Sequence, residues 1–138
     1  MNRRFLYIIA ILLCGLPPAL NAKIFSVLNL RCEQAQNPLG IETLQPRFSW
    51  QIYSDERNFQ QSAYRILVAT SPDELSKDSG TIWDSGKTNT SSSILVPFSG
   101  QRLDSGKTYY WKVKIWDQDD KASPWSQPEQ FTMGLLTP

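Results

Sequence analysis

Thirteen acidic side chains, five tryptophans and no histidine bound the chemistry this chain can do. Without histidine there is no imidazole base, proton shuttle or metal ligand, so neither a Ser-His-Asp nor a Cys-His arrangement can form within it. A zinc site built on imidazole is excluded too. The acids could still form a hydrolytic carboxylate pair, which for inversion must stand roughly 6.5 to 9.5 Å apart across a sugar cleft. Asp117, Asp119 and Asp120 cluster, in a stretch between two apolar runs where aspartate serves turn chemistry. They read as a solvated turn, dense in oxygen but without the spacing of a calcium loop. The residues therefore predict no catalytic set, no metal site and no cofactor.

The tryptophans are the other candidates, because sugars and protein partners both stack on indole faces. Trp50 and Trp111 fall in phase with apolar neighbours and read as core. Trp116 is out of phase with Ile115 and points outward beside Lys112 and Lys114, a spacing that predicts cation–π contact on an outer sheet face. Trp125 opens a final strand in Pro124-Trp125-Ser126. Trp83 is ambiguous between core edge and interface. Trp83, Trp116 and Trp125 are thus the candidate carbohydrate or interface contacts, and Trp50, Tyr109 and Trp111 the structural aromatics.

The elements that must position these rings are short strands. Period-two alternation recurs between turn residues. Leu28, Leu30 and Cys32 share one face; Phe48, Trp50 and Ile52 another; Tyr64, Ile66 and Val68 a third, with Arg65 pointing out. Ile82 and Trp83 end at Asp84-Ser85-Gly86, and Ile94, Val96 and Phe98 precede Ser99-Gly100. Tyr109, Trp111, Val113 and Ile115 make the longest alternation, and Phe131 and Met133 close the series. Seven short strands predict an all-β, antiparallel sandwich. The one helical turn is marked by N-cap Ser71, Pro72 and Glu74, and ends at Asp78-Ser79-Gly80. Leu103 and, six residues on, Tyr109 frame the tyrosine corner of fibronectin type III and immunoglobulin-like sandwiches.

Residues 1–22 read as an address rather than as fold. Arg3 and Arg4, an apolar run from Phe5 to Leu16 and small residues before Ala22 form a secretory signal pattern. The run is shorter than the roughly 18 to 20 residues a membrane span needs. Cleavage after Ala22 leaves residues 23–138 as one domain, exported to the periplasm or beyond, with no membrane segment of its own. It also removes Cys14, so Cys32 has no disulfide partner and reads as a buried small hydrophobe. A net charge of +1 offers no footprint for nucleic acid.

Several segments resemble one family in order along nearly all of residues 23–138. They are Asn37-Pro38-Leu39-Gly40-Ile41, Pro46-Arg47-Phe48-Ser49-Trp50-Gln51, Ala63-Tyr64-Arg65-Ile66-Leu67-Val68-Ala69, Trp83-Asp84-Ser85-Gly86-Lys87, Tyr109-Tyr110-Trp111-Lys112-Val113, Trp125-Ser126 and Phe131-Thr132-Met133-Gly134. Together they resemble the N-terminal fibronectin type III-like domain of bacterial α-L-rhamnosidases. The resemblance implies a non-catalytic accessory domain whose partners are a downstream β-domain and a catalytic helical barrel, where acidic residues remove terminal L-rhamnose with inversion. None of those catalytic carboxylates has a counterpart in this chain. The alternative reading is a stand-alone carbohydrate- or protein-binding module of the cell envelope, using the outward tryptophans.

Overall fold

A computed structural model describes residues 23–136; the signal-like segment lies outside the described residues. Among them are seven strands and one helix. These are β1 Phe25–Cys32, β2 Arg47–Ser54, β3 Gln61–Ala69, α1 Pro72–Ser76, β4 Trp83–Asp84, β5 Val96–Pro97, β6 Thr108–Asp117 and β7 Glu129–Thr132. They form two antiparallel sheets, one of order β1-β2-β5 and one of order β4-β3-β6-β7. No helix among the described residues is long and apolar enough to cross a membrane.

Alternation places Phe48 and Trp50 of β2, Tyr64, Ile66 and Val68 of β3, and Tyr109, Trp111, Val113 and Ile115 of β6 between the sheets. The hub of this core is Phe48 rather than Trp50. Its ring lies 4.4 Å from that of Trp111, 5.6 Å from Phe131, 6.2 Å from Trp83 and 6.5 Å from Phe98. Trp50 is also buried, but toward one end, edge-on to Tyr64 and donating its indole N–H to Gln61 at 3.1 Å. Gln61 is itself buried, and its amide donates to the carbonyls of Thr90 and Ser92. That chain of bonds satisfies a polar group that would otherwise be costly at this depth.

β1 departs from simple alternation. Its register with β2 shifts between Leu28 and Arg31, and Asn29 sits at φ +52°. A bulge of this kind inserts a residue and reverses the phase of the strand beyond it. Phe25 and Val27 therefore point inward before it, Leu30 and Cys32 after it, and Leu28 is turned out to solvent. Ile94 corrects the reading in the same way. It is 72% exposed, because Leu95 at φ +53° turns the chain and only Val96 and Phe98 reach the core.

The outer face of β3 and β6 is covered as well. Leu67, Ala69 and Leu75 form a small second core, with Tyr110 and Trp125 packed against it. The helix on this face is capped as its sequence requires: Ser71 Oγ accepts from the Glu74 N–H, and the Glu74 carboxylate reaches Thr70 and Thr81. The Thr81 hydroxyl, first among these donors, holds the Glu74 carboxyl below the ordinary carboxylate range. Buried Lys112 closes the other end of the helix, donating to the Leu75 carbonyl at 2.6 Å and to Asp78. At the tyrosine corner the Asp104 N–H donates to the Tyr109 hydroxyl at 2.8 Å. Gly100 is required by close approach, since a Cβ there would stand 2.5 Å from both the Ile82 carbonyl oxygen and Trp83 Cβ.

Candidate functional site

The stretch after β6 decides where the outer aromatic rings lie. Trp125 does not begin the last strand, which starts at Glu129. Instead Ser123 and Ser126 each pair twice with β6: their N–H groups bond the Ile115 and Val113 carbonyls, and their hydroxyls accept from the Ile115 and Val113 N–H groups. The hydroxyls supply acceptors that an irregular backbone does not. Pro124 and Trp125 are thereby held in a short arch, and the indole is laid over the outer sheet face.

The expected lysine contact at Trp116 consequently forms on Trp125. Lys112 and Lys114 each bring their ammonium groups 4.6 Å from the Trp125 ring centre, and the Arg65 guanidinium lies 5.7 Å from it. Trp116 meets Lys87 instead, at 5.0 Å. Arg65 and Lys114 stand directly opposite each other in the β3–β6 register, where like charges repel, and both lie against the Trp125 ring. A sugar stacking on either indole would compete with a bound cation. Trp83 is engaged on the inside, tilted edge-on to Phe98 at 5.3 Å. It packs at the core edge.

Seven of the thirteen acids are similarly committed. Glu33 pairs with Arg47, Asp84 with Arg65, Asp78 with Lys112, Asp104 with Lys107, Asp120 with Lys87, and Glu56 and Asp119 with Lys23. Hydrogen bonding to the partner cation is the main cause that holds the Glu33, Asp78, Asp84 and Asp104 carboxyls below their ordinary range. Such lowering favours ionised, structural carboxylates, whereas a general acid needs its pKa raised. Asp117 corrects the reading of a wholly solvated aspartate turn. It follows Ile115 in the inward phase of β6 and is fully buried, its Oδ1 accepting from the Asp119 and Lys121 N–H groups at 2.9 and 2.8 Å. Asp119 and Asp120 remain exposed. Burial pushes the Cys32 thiol far above its usual range, which makes it a packing residue and a poor nucleophile.

One concavity stands out to which no motif in the sequence points. It is a groove of about 490 Å³ on the β1-β2-β5 sheet, lined by Asn29, Arg31, Ser49, Gln51, Ile94 and the edge of buried Trp50. A smaller hollow of about 300 Å³ lies among Asn37, Pro72, Tyr110 and Glu129. No carboxylate lines the first and only Glu129 the second, so neither presents a carboxylate pair. Among the described residues no group of His, Cys, Asp and Glu side chains is arranged to hold a metal ion. The sequence signal for this sheet face is the apolar or aromatic character of outward positions, Tyr53 and the displaced Leu28 and Ile94. Assigning the last two to the core hides it.

Comparison with known proteins agrees with this architecture. Residues 27–137 match the family model described as the Rha78A-like, N-terminal immunoglobulin domain. An α-L-rhamnosidase of Formosa agariphila is 45% identical over 100 residues, covering 72% of this chain and 10% of that protein. One of Streptomyces avermitilis is 41% identical over 104 residues, covering 75% and 10%. The crystal structure of the Streptomyces avermitilis α-L-rhamnosidase complexed with L-rhamnose superposes with a TM-score of 0.78 at 39% identity, over 81% of this chain and 11% of that one. The α-L-rhamnosidase structure from Dictyoglumus thermophilum gives 0.78 at 37% identity, over 80% and 12%. This chain thus spans about a tenth of the length of the relatives it matches.

Proposed function

We propose a role from one premise: the chain belongs to the family of Rha78A-like N-terminal immunoglobulin domains. It is the non-catalytic accessory domain of an exported α-L-rhamnosidase, where it packs against and stabilises the parts of the enzyme that carry the chemistry. The observation that carries this reading is the extent of the family match, which takes in almost the whole sandwich. The ion-paired acids and the cations on Trp116 and Trp125 support it, since these side chains are already engaged within the domain. Export rests on the basic and apolar pattern of residues 1–22, and places the product in the periplasm or outside the cell.

The test is a graft. Residues 27–136 would replace the corresponding domain of the Formosa agariphila α-L-rhamnosidase, beside a version with that domain deleted. The graft is expected to melt several degrees above the deletion, about 5 °C or more, as removal of a packed domain requires. Turnover per folded enzyme should agree within about twofold, because no transition-state contact is lost. A large loss of turnover in the deletion at unchanged melting temperature would assign the domain a part in catalysis.

A further inference from the structure

The two outer faces of the sandwich differ. That of the four-stranded sheet is closed by α1 and Trp125, which build the second core on it. That of the three-stranded sheet leaves Leu28, Tyr53 and Ile94 exposed, with Ile94 lining the Asn29–Arg31 groove. An antiparallel sheet that meets water on one side is ordinarily polar there, and a cluster of exposed apolar groups rimmed by polar ones marks an interaction surface.

The polar groups of the groove match a polypeptide. Asn29 donates its side-chain NH2 to Gln51 Oε1 at 2.7 Å, and the Asn29 Oδ1 and the Gln51 NH2 keep one acceptor and one donor with no hydrogen-bond partner among the described residues. That is the complement of a peptide group. Arg31 makes only a long contact, 3.5 Å, to the Gln34 carbonyl, and no carboxylate among the described residues pairs with it. The exposed apolar group of the groove is the aliphatic Ile94, while Trp50 is buried, which suits a protein side chain better than the stacked face of a sugar. In the relatives about nine-tenths of the chain lies outside the matched segment, and a tethered partner is present at roughly millimolar effective concentration.

We propose that this face seats a segment of the rhamnosidase polypeptide beyond the immunoglobulin domain, with an apolar side chain against Ile94 and a carboxylate on Arg31. The inference rests on the accessory-domain reading and names the surface through which it acts. Arg31→Glu and Ile94→Glu change exposed side chains, so each should melt within about 2 °C of the parent in the 138-residue chain alone. In the grafted Formosa agariphila enzyme each should lower the melting temperature by about 3 to 5 °C.

If the parent graft is no more stable than the domain deletion, the accessory-domain reading fails and this inference falls with it. If the graft is stabilised but the variants match it, the reading stands and this face is not the interface. Equal losses in the isolated chain and the graft would make both residues structural within the domain, overturning the inference. Self-association of the isolated chain that Ile94→Glu abolishes, with no effect in the graft, would make the occupant a second copy instead. Protection of the isolated chain by a rhamnoside, lost in Ile94→Glu, would make the face a sugar site and overturn it as well.

Discussion

Phe48→Ala is expected to lower the stability of the domain by about 4 kcal/mol, the range for truncating a fully buried phenylalanine. Phe48 is fully buried and its ring contacts four other aromatic rings drawn from both sheets. Truncation therefore leaves a cavity that no single neighbour can fill by a change of rotamer. A domain of this size has a total stability of about 5 to 15 kcal/mol, so the variant should be marginal. Its thermal midpoint, followed by circular dichroism, should fall by about 20 °C. A loss below about 1 kcal/mol would mean that the two sheets collapse around the site and that the ring is not the hub.

Asp117→Ala is expected to cost about 2 to 3 kcal/mol, chiefly from orphaned backbone donors. The carboxylate holds the hairpin after β6 by accepting from two N–H groups, and the Ser62 hydroxyl donates to the Asp117 carbonyl oxygen at 2.6 Å. Its other oxygen, Oδ2, is buried without a partner among the described residues, so part of the loss is returned when that oxygen is removed. Asp117→Asn keeps an acceptor in the Oδ1 position and drops the charge, and should cost about 1 kcal/mol or less. Urea unfolding of both variants checks this. Equal losses for alanine and asparagine would show that the charge, rather than the acceptor, sets the turn.

Most of the fold is legible because inward alternation survives on β2, β3 and β6, where long pairing keeps the pleat regular. It fails where a positive φ reverses the phase. Asn29 and Leu95 carry no glycine to announce the reversal, so alternation assigns Leu28 and Ile94 to the core when both face water. Asp117 shows the opposite error: it obeys the inward phase of β6, but its polarity suggests an exposed turn. The short helix is legible in Ser71, Pro72 and Glu74, because capping is a local matter of side chain and backbone.

The site is legible in part. Spacing picks out the outward set of Lys112, Lys114 and Trp116, yet the ring that gathers the lysines is Trp125. That placement depends on Ser123 and Ser126 bonding β6 with their side chains, which no period in the sequence encodes. The groove depends on a bulge and on a loop residue arriving from another segment, so it belongs to tertiary structure. The family resemblance runs along nearly all of the domain because its segments include parts of β2, β3, β4, β6 and β7 and some of the turns between strands.

Whether this domain handles the substrate itself can be tested directly on residues 23–138. Titration calorimetry with rhamnose-capped oligosaccharides, alongside a chromogenic rhamnoside, reads binding and hydrolysis together. No heat of binding at millimolar sugar and no release of chromophore above the buffer rate are expected on the accessory-domain reading. Binding that Trp116→Ala or Trp125→Ala abolishes would contradict it and make the domain a carbohydrate-binding module. Hydrolysis would contradict it outright and place a working carboxylate pair within the sandwich.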